Sequence, residues 1–322
     1  MSLSEYFKLL YNELFKIYVR KSTWAMYAVL TLLIIAPAVL ILSFDDMQKE
    51  YTDNWREELQ KENEEYQKDM AEMEESPGDF VEEYNSQTIA KNNYYLENDI
   101  KPLNYGAWTF TLENAGLVSV VSLLTIIIGA GIISNEYRWG TIKLLLIRPI
   151  SRTKILLSKL TSVFLFALCT MIFLFLISLL TGAIFFGFEG MNPYYVVQTA
   201  EGFEHVRIVN EIFSEYGYKV VNLVMMTTLA FMISTIFKNS SLAIGIGIFL
   251  LLGGNMVVGI FSQYEWAKYI LFANIDLKQY ETGNVWIEGM TLGFSITMLM
   301  IYFVVFVVLS WLVFNKRDVA GH

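Results

Sequence analysis

The charged side chains whose spacing suggests a function are concentrated in one short segment, residues 134–159. This segment contains a single acid, Glu136, and six basic residues. The basic residues are Arg138, Lys143, Arg148, Arg152, Lys154 and Lys159. Between them, residues 144–147 form a leucine-rich run that is too apolar for a free loop in water, so it requires either the membrane surface or a groove in another protein. The chemistry predicted here is therefore binding rather than catalysis.

The long apolar runs of the chain lack the residue types that carry out reactions within a membrane. They contain no Asp, Glu, Lys, Arg or His. A charge at the bilayer centre costs about 2.5–3.5 kcal/mol and is retained where it has a function, so its absence argues against ion-coupled transporters and intramembrane proteases. The chain has no G-x-x-x-x-G-K-[ST] phosphate-binding loop, and we expect Gly245, Gly247, Gly253 and Gly254 to pack helices instead. The two histidines do not form a cluster with metal-ligand spacing. We therefore expect no catalytic residue, no bound cofactor and no metal.

The composition indicates a membrane framework for the charged segment. The chain has 322 residues, of which 55% are hydrophobic. Several apolar runs reach the ~20 residues that cross a bilayer as a helix. The predicted fold class is an all-α polytopic membrane protein with six transmembrane helices. The predicted spans are residues 24–44, 114–133, 161–186, 220–237, 241–261 and 290–314. The single cysteine, Cys169 in the third span, is predicted to be buried.

The segments outside the spans differ in character. Residues 1–23 form a predicted amphipathic helix in the membrane interface, and a plain tail helix is the alternative. Residues 45–113 contain nineteen acidic and six basic residues and are predicted to form a two-helix hairpin outside the membrane, with its tip at Pro77-Gly78. Its acids indicate a solvated helix surface, and a cation site is the alternative. The remaining segments are a basic loop (134–160), an outer loop (187–219), an aromatic interfacial or re-entrant segment (262–289) and a tail (315–322).

The distribution of basic residues predicts the orientation of the chain. With the N-terminus inside, the inner segments hold thirteen Lys and Arg and four acids, and the outer segments hold ten basic residues and 28 acids. The inner side then carries +9 and the outer side −18, in agreement with the net charge of −9. We therefore expect both termini to be cytoplasmic and the chain to lie in the plasma membrane.

In residues 134–159 the sequence resembles the permease subunits of type-2 ATP-binding-cassette (ABC) transporters. The shared pattern is an acid after the second span, then Gly-Thr, a leucine-rich turn, Pro-x-x-Arg and a lysine at the next span. The residues that carry it are Glu136, Gly140, Thr141, Leu144, Leu145, Leu146, Pro149, Arg152 and Lys159. Residues 271–277 (LFANIDL) are similar to Bacillus-type permeases related to sodium-efflux and bacitracin-resistance exporters.

The resemblance implies a subunit that does not hydrolyse ATP itself. The loop would be a coupling helix seated in a separate ATPase subunit, present in two copies, that binds ATP and Mg²⁺. The implied ATPase-coupling residues are Glu136, Tyr137, Gly140, Thr141, Leu145, Pro149, Arg152 and Lys159. A second permease copy or a sister permease would complete the translocation path, with membrane lipid but no nucleic acid as a further partner. The implied function is export of a peptide antibiotic, a lipid or another amphiphile.

Several alternatives remain open. Glu136 could simply pair with Arg138 at the membrane surface, and the basic residues of the loop could be anchors to anionic lipid. Polar residues within the spans could line a translocation path or could only join helices by hydrogen bonds. These residues are Thr125, Ser178, Thr227, Ser234 and Asn255. The acidic insertion could instead make the chain a non-transporting receptor or immunity protein that binds an extracellular peptide.

Overall fold

The structure is a computed structural model that describes residues 3–43, 50–72, 79–146 and 150–316. Its elements are α1 (Leu3–Tyr18), α2 (Lys21–Ser43), α3 (Trp55–Glu72), α4 (Asp79–Glu97), α5 (Ala107–Glu113), α6 (Val118–Arg138), α7 (Ile142–Leu146), α8 (Arg152–Phe185), β1 (Tyr194–Thr199), β2 (Gly202–Arg207), α9 (Ile208–Phe237), α10 (Ser240–Phe261), α11 (Leu271–Ile275), α12 (Gln279–Thr282) and α13 (Leu292–Lys316). A 3₁₀ turn at Asn114–Leu117 joins α5 to α6, and another at Glu265–Tyr269 precedes α11. Six helical runs among the described residues are long and apolar enough to cross a bilayer: α2, α5 with α6, α8, α9, α10 and α13. The chain is therefore a multi-pass membrane protein, as the sequence predicts.

Helices α6 and α9 form the centre of the bundle. Their apolar windows are 67% and 61% buried, against 17% for each of α2, α10 and α13. Two glycines of α10 permit close packing: a Cβ at Gly247 would lie 2.8 Å from a side-chain carbon of α6, and one at Gly254 would clash with the Phe272 ring of α11. A Cβ at Gly245 or Gly253 would meet no atom within 4 Å. Helix packing therefore explains two of the four glycines for which it is predicted.

Three of the membrane helices begin at least seven residues earlier than the sequence predicts. Helix α8 begins at Arg152 rather than at residue 161, α9 begins at Ile208 rather than at 220, and the second span begins at Ala107 rather than at 114. The predicted spans exclude every ionisable residue, but several such residues lie within the helices near their ends. They include Glu113, Glu136, Lys159, Glu211, Glu215 and Lys219. The statement that the spans lack ionisable residues therefore holds for the predicted bounds and not for the complete helices.

Residues 187–219, predicted to be a loop, contain an antiparallel pair of strands, β1 and β2. Tyr194 pairs with Arg207, and Thr199 pairs with Gly202 at the turn. Gly202 has a φ of 125°, a conformation that favours glycine. Among the described residues the fold is therefore predominantly helical, consistent with the predicted all-α class, and it carries one small β ribbon.

One end of the bundle, which we call the head, carries α3, α4, the ribbon, α11 and α12. Helices α3 and α4 pack against each other, and the side chains of Asn63, Asn92 and Asn93 are joined there by hydrogen bonds of 2.9 Å. A small cluster of buried apolar side chains attaches these two helices to the ribbon. The predicted hairpin tip at residues 77–78 lies outside the described residues.

The opposite end, which we call the base, carries α1, α7 and the adjoining ends of the membrane helices. Helix α1 packs along α8 and buries Leu10 and Ile17. Its other face exposes the rings of Phe7, Tyr11 and Phe15. Farther along α8, Cys169 is exposed on the helix surface, so the prediction that its thiol is buried is wrong. The third span presents this part of its surface to the surroundings of the bundle, which a sequence without a known helix orientation does not reveal.

Candidate functional site

A buried cluster of charges joins three helices at the base. Lys159 of α8 is fully buried, and its Nζ lies 2.8 Å from Glu13 Oε2 of α1 and 3.1 Å from Glu136 Oε1 of α6. Lys16 Nζ of α1 lies 2.9 Å from Glu13 Oε1 and 3.0 Å from Glu136 Oε1. These two carboxylates and two ammonium groups, which we call the base cluster, have a formal charge of zero.

The hydroxyl of Thr141 connects the loop to the base cluster. It donates to Glu136 Oε2, so each of the four carboxylate oxygens accepts from a donor. Buried charges are tolerated when they are both paired and hydrogen-bonded, which explains why these four can lie between helices. In the part of the chain that the structure describes, no three His, Cys, Asp or Glu side chains lie close enough together to hold a metal ion.

The pKa of Lys16 reflects the same contacts. Burial acts to lower this pKa, but attraction to Glu13 and hydrogen bonds to Glu13 and Glu136 raise it above its usual value. Lys16 therefore keeps its charge throughout the physiological range of pH. The Lys16 ammonium group is therefore not a switch that responds near neutral pH.

An exposed patch lies beside the base cluster, and we call it the base patch. It consists of Arg20, Arg138, Trp139, Lys143 and Leu144. The side chains of Trp139 and Leu144 are 57% and 67% exposed. The guanidinium carbons of Arg20 and Arg138 each lie 5.6 Å from the centre of the Trp139 ring. The turn after Trp139 uses Gly140 at a φ of +70°. An exposed tryptophan flanked by arginines is typical of the centre of a protein-binding surface.

The comparison with known families covers most of this framework. Residues 81–320 match the model of a family described as "Protein of unknown function (DUF2705)". The chain belongs to the DUF2705 family. The matched residues include Glu136, Lys159 and the loop between them, whereas Glu13 and Lys16 of α1 precede the match.

This DUF2705 protein is also similar to two proteins of Bacillus subtilis (strain 168). It is 41% identical to the uncharacterized protein YhcI over an alignment of 318 residues. This alignment covers 97% of this chain and 99% of YhcI. It is 35% identical to the uncharacterized membrane protein YdbK over an alignment of 203 residues. This alignment covers 62% of this chain and 78% of YdbK. The similarity to YhcI therefore extends over α1 and the head as well as the membrane helices.

The other predicted coupling residues of the DUF2705 protein lie outside the base cluster. The ring centre of Tyr137 lies 4.7 Å from Nζ of Lys238, in the turn between α9 and α10. Arg152 Nη1 donates to a carbonyl near the end of α13 at 2.9 Å. Both residues thus connect the loop to other membrane helices. The side chain of Leu145 and all of Pro149 lie outside the described residues.

Glu13, Lys16 and Trp139 are not among the site residues predicted from the sequence. Glu13 and Lys16 lie on the polar face of the amphipathic helix predicted in residues 1–23, and their spacing of three residues is the only local signal of an interaction. That spacing does not reveal that the polar face packs against α8. Trp139 lies within the predicted loop. The sequence does not reveal that its side chain is exposed on the surface, and this exposure is what makes it a candidate binding residue.

The five candidate path residues fall into two groups. The hydroxyls of Thr125 and Ser234 donate to carbonyls of α6, and the side chains of Ser178 and Thr227 are fully buried between helices. Asn255 is exposed and lines a groove at the head. The first four positions suit helix packing, whereas Asn255 is accessible to a ligand.

Proposed function

We propose that this DUF2705 protein is the membrane-spanning permease subunit of an ATP-driven exporter of the type-2 ABC class. A separate ATPase subunit, which binds ATP and Mg²⁺, would dock on the base patch. The observation that carries the proposal is the position of this exposed patch directly beside the base cluster, in which Lys159 connects α1, α6 and α8. The resemblance of residues 134–159 to permease coupling loops supports the same assignment.

The contacts at the base suggest how a force on the patch would reach the membrane helices. Arg138 ends α6, and Leu144 lies on α7. Thr141, between them, is hydrogen-bonded to the carboxylate of Glu136. Removing one partner of a buried ion pair costs about 3–5 kcal/mol, so displacement of α7 would move the attached ends of α1, α6 and α8 together. Rigid-body movement of packed helices is a general means of switching between two states.

We propose further that the base faces the cytoplasm and the head lies outside the plasma membrane. The excess of basic residues in the segments at the base supports this orientation. The exposed rings of Phe7, Tyr11 and Phe15 suit a helix α1 that lies in the inner membrane interface. In this orientation both termini are cytoplasmic and α3 with α4 form an extracellular hairpin.

The proposed complex contains two ATPase subunits and two permeases, either two copies of this chain or this chain with a sister permease. Helices α2, α10 and α13 are little buried within one chain and offer apolar surface to lipid or to the second permease. The cargo class is a peptide antibiotic, a lipid or another amphiphile.

Co-purification from native membranes tests the proposal. The tagged chain should retain a protein with a Walker A phosphate-binding loop, and Trp139→Ala should reduce its recovery severalfold because an anchor residue of the patch is lost. Trp286→Ala is the matched control, since Trp286 is partly exposed at the head. Equal recovery with both variants, or the absence of any such ATPase, would contradict the docking of an ATPase at the base patch.

The alternative is a non-transporting receptor or immunity protein that binds an extracellular peptide through its acidic hairpin. The packing of α3 and α4 against the ribbon favours this function, because it builds a defined structure on the head. In that case the membrane helices would only anchor the head. Peptide binding without any ATPase partner, together with unaltered function of the Trp139→Ala variant, would favour the receptor.

A further inference from the structure

A cleft of about 660 Å³ opens at the head between α4, the ribbon, α12 and the adjacent ends of α5 and α9. It adjoins a groove of about 450 Å³ that extends to Asn222 of α9 and Asn255 of α10. Glu215, Lys219 and Lys278 line both spaces. We call the two together the head cleft. Each of the two volumes is in the range of small-molecule binding sites.

Ionic contacts fix the walls of the head cleft. Lys278 Nζ lies 2.8 Å from Glu211 Oε1 and also contacts Glu215 Oε2, and Lys219 Nζ lies 2.9 Å from Glu215 Oε1. Burial acts to lower the pKa of Lys278, but hydrogen bonds to Glu211 and Glu215 raise it well above its usual value. These charges therefore satisfy one another and hold the segment around α12 against α9.

The ribbon is attached to the same segment. The backbone N–H of Ala200, at the ribbon turn, donates to the carbonyl of Glu281 at 2.9 Å. Gly283 has a φ of +79°, and a Cβ there would lie 3.0 Å from Ala200. Glu281 is thus held at a rigid junction of α12 and the ribbon, on the wall of the cleft.

Two buried acceptors on these walls lack a donor within the described chain. One oxygen of Glu281, Oε2, has no hydrogen-bond partner, although the carboxylate is also in hydrogen-bond contact with Tyr218. Asn222 Oδ1, which belongs to a residue that lines the adjoining groove, is likewise without a partner. An unsatisfied buried acceptor costs about 1–3 kcal/mol, and more when it is charged. Both atoms accept hydrogen bonds, so a ligand complementary to them carries hydrogen-bond donors.

A second part of the cleft lining, from α4 and the ribbon, includes aromatic and apolar side chains. It includes Tyr84 of α4, Tyr195 and Val196 of β1 and Phe203 of β2. Lys91 Nζ lies 4.9 Å from the ring centre of Tyr195, so the protein's own cation occupies that ring face and the rest of this lining is left for apolar carbon. A ligand that satisfies both walls has a cationic donor group and an apolar body.

We propose that the head cleft binds an amphiphile that carries a protonated amine. The ammonium group pairs with Glu281, a second donor reaches Asn222, and the apolar body packs on Tyr84, Tyr195 and Phe203. The predominantly acidic outer segments raise the local concentration of such a cation. This site is separate from the base patch, and its occupancy requires neither ATP nor an ATPase subunit.

Binding to the full chain in nanodiscs of phosphatidylcholine tests the site. The probe is dansylcadaverine, a fluorescent aromatic primary amine, and its N-acetylated derivative is the matched neutral ligand. Fluorescence anisotropy should show binding of the amine at least about tenfold tighter than of the acetylated form, since a charged hydrogen bond is lost. Glu281→Gln should weaken binding of the amine by about tenfold. Glu288→Gln, at an exposed position outside the cleft, should leave it unchanged.

Three results would overturn the proposal: no binding of the amine, equal binding of the amine and its acetylated form, or equal effects of Glu281→Gln and Glu288→Gln. If Glu281→Gln does not fold, Tyr84→Ala replaces it, because Tyr84 is 57% exposed and its loss removes only part of the apolar wall. Tyr84→Ala should weaken both probes severalfold, and unchanged affinity for both would contradict the site. No ATPase is present in this assay, so its outcome is independent of the proposed exporter function.

Discussion

Replacement of Lys159 by methionine is expected to loosen the base of the bundle. Methionine retains most of the apolar stem of lysine but removes the ammonium group that contacts Glu13 and Glu136. The Lys159 side chain has 0% exposure, and those of Glu13 and Glu136 have 6% and 11%, so water cannot readily replace the lost contacts. The two carboxylates would then share the ammonium group of Lys16.

The size of this effect follows from the remaining contacts. Loss of one partner from a buried ion pair costs about 3–5 kcal/mol. Lys16 still lies 2.9 Å and 3.0 Å from the carboxylates, and its side chain is 43% exposed. Its attraction is therefore partly screened, and it offsets only a fraction of the loss. We expect a decrease of about 3 kcal/mol in the free energy of unfolding, roughly a hundredfold in the equilibrium constant.

Denaturation by SDS in mixed micelles, followed by circular dichroism, measures this decrease. Lys143→Met is the matched control, because Lys143 is exposed in the same loop. The double variant Glu136→Gln/Lys159→Met should be more stable than the sum of the single effects predicts, by about 1–3 kcal/mol, because the two residues are in contact. If Lys159→Met and Lys143→Met have the same stability, or if the effects are additive, the base cluster does not hold the helices together.

Three further predictions concern the base, the bundle core and the orientation. The pKa of Lys16 is raised above 10.5, so the charged Lys16 side chain should stabilise the fold fully below this pH. This stabilisation should be lost as the pH rises further. Lys16→Met should remove this alkaline decrease in the free energy of unfolding, as measured by SDS titration. Gly247→Leu should destabilise the bundle by about 1–3 kcal/mol by overpacking, whereas Gly245→Leu, in open space, should not, as measured by the same titration. On a cysteine-free background, Lys143→Cys should react with an impermeant maleimide only in inverted vesicles, and Glu288→Cys only in right-side-out vesicles; the reverse pattern would contradict the orientation.

The number and approximate positions of the membrane helices could be predicted because each span requires a continuous apolar run. The ends of these helices could not be predicted from the sequence. Helix α9 begins before Glu211 and Glu215, and the cation that pairs with both is Lys278, more than 60 residues later in the chain. From the sequence alone, a charged residue near a helix end suggests that the membrane helix stops there. The partner that lets the charged residue lie within the helix is known only from the structure. The first strand of the ribbon could be predicted, since β1 is rich in Tyr and Val, which favour strands. The prediction of a loop for residues 187–219 does not use this signal.

The candidate site could be predicted only in part for the same physical reason. Glu136, Thr141 and Lys159 follow a recognisable order within one loop, and the structure places all three together. Their partner Glu13 lies 146 residues from Lys159, on a helix whose pattern indicates a membrane-facing role. Long-range ion pairs of this kind depend on how α1 packs, which no local pattern specifies.

ATP hydrolysis in proteoliposomes that contain the chain and its ATPase subunit tests the central proposal most directly. Gly140 has a φ of +70° and open space around it, so Gly140→Val should distort the turn of the base patch without a clash. Gly190→Val is the matched control, because Gly190 at the head has a φ of +76° and equally open surroundings. We predict that Gly140→Val inserts normally but abolishes stimulation of the ATPase, whereas Gly190→Val retains it. Full stimulation with Gly140→Val, or transport by the chain without any ATPase, would contradict coupling through the base patch.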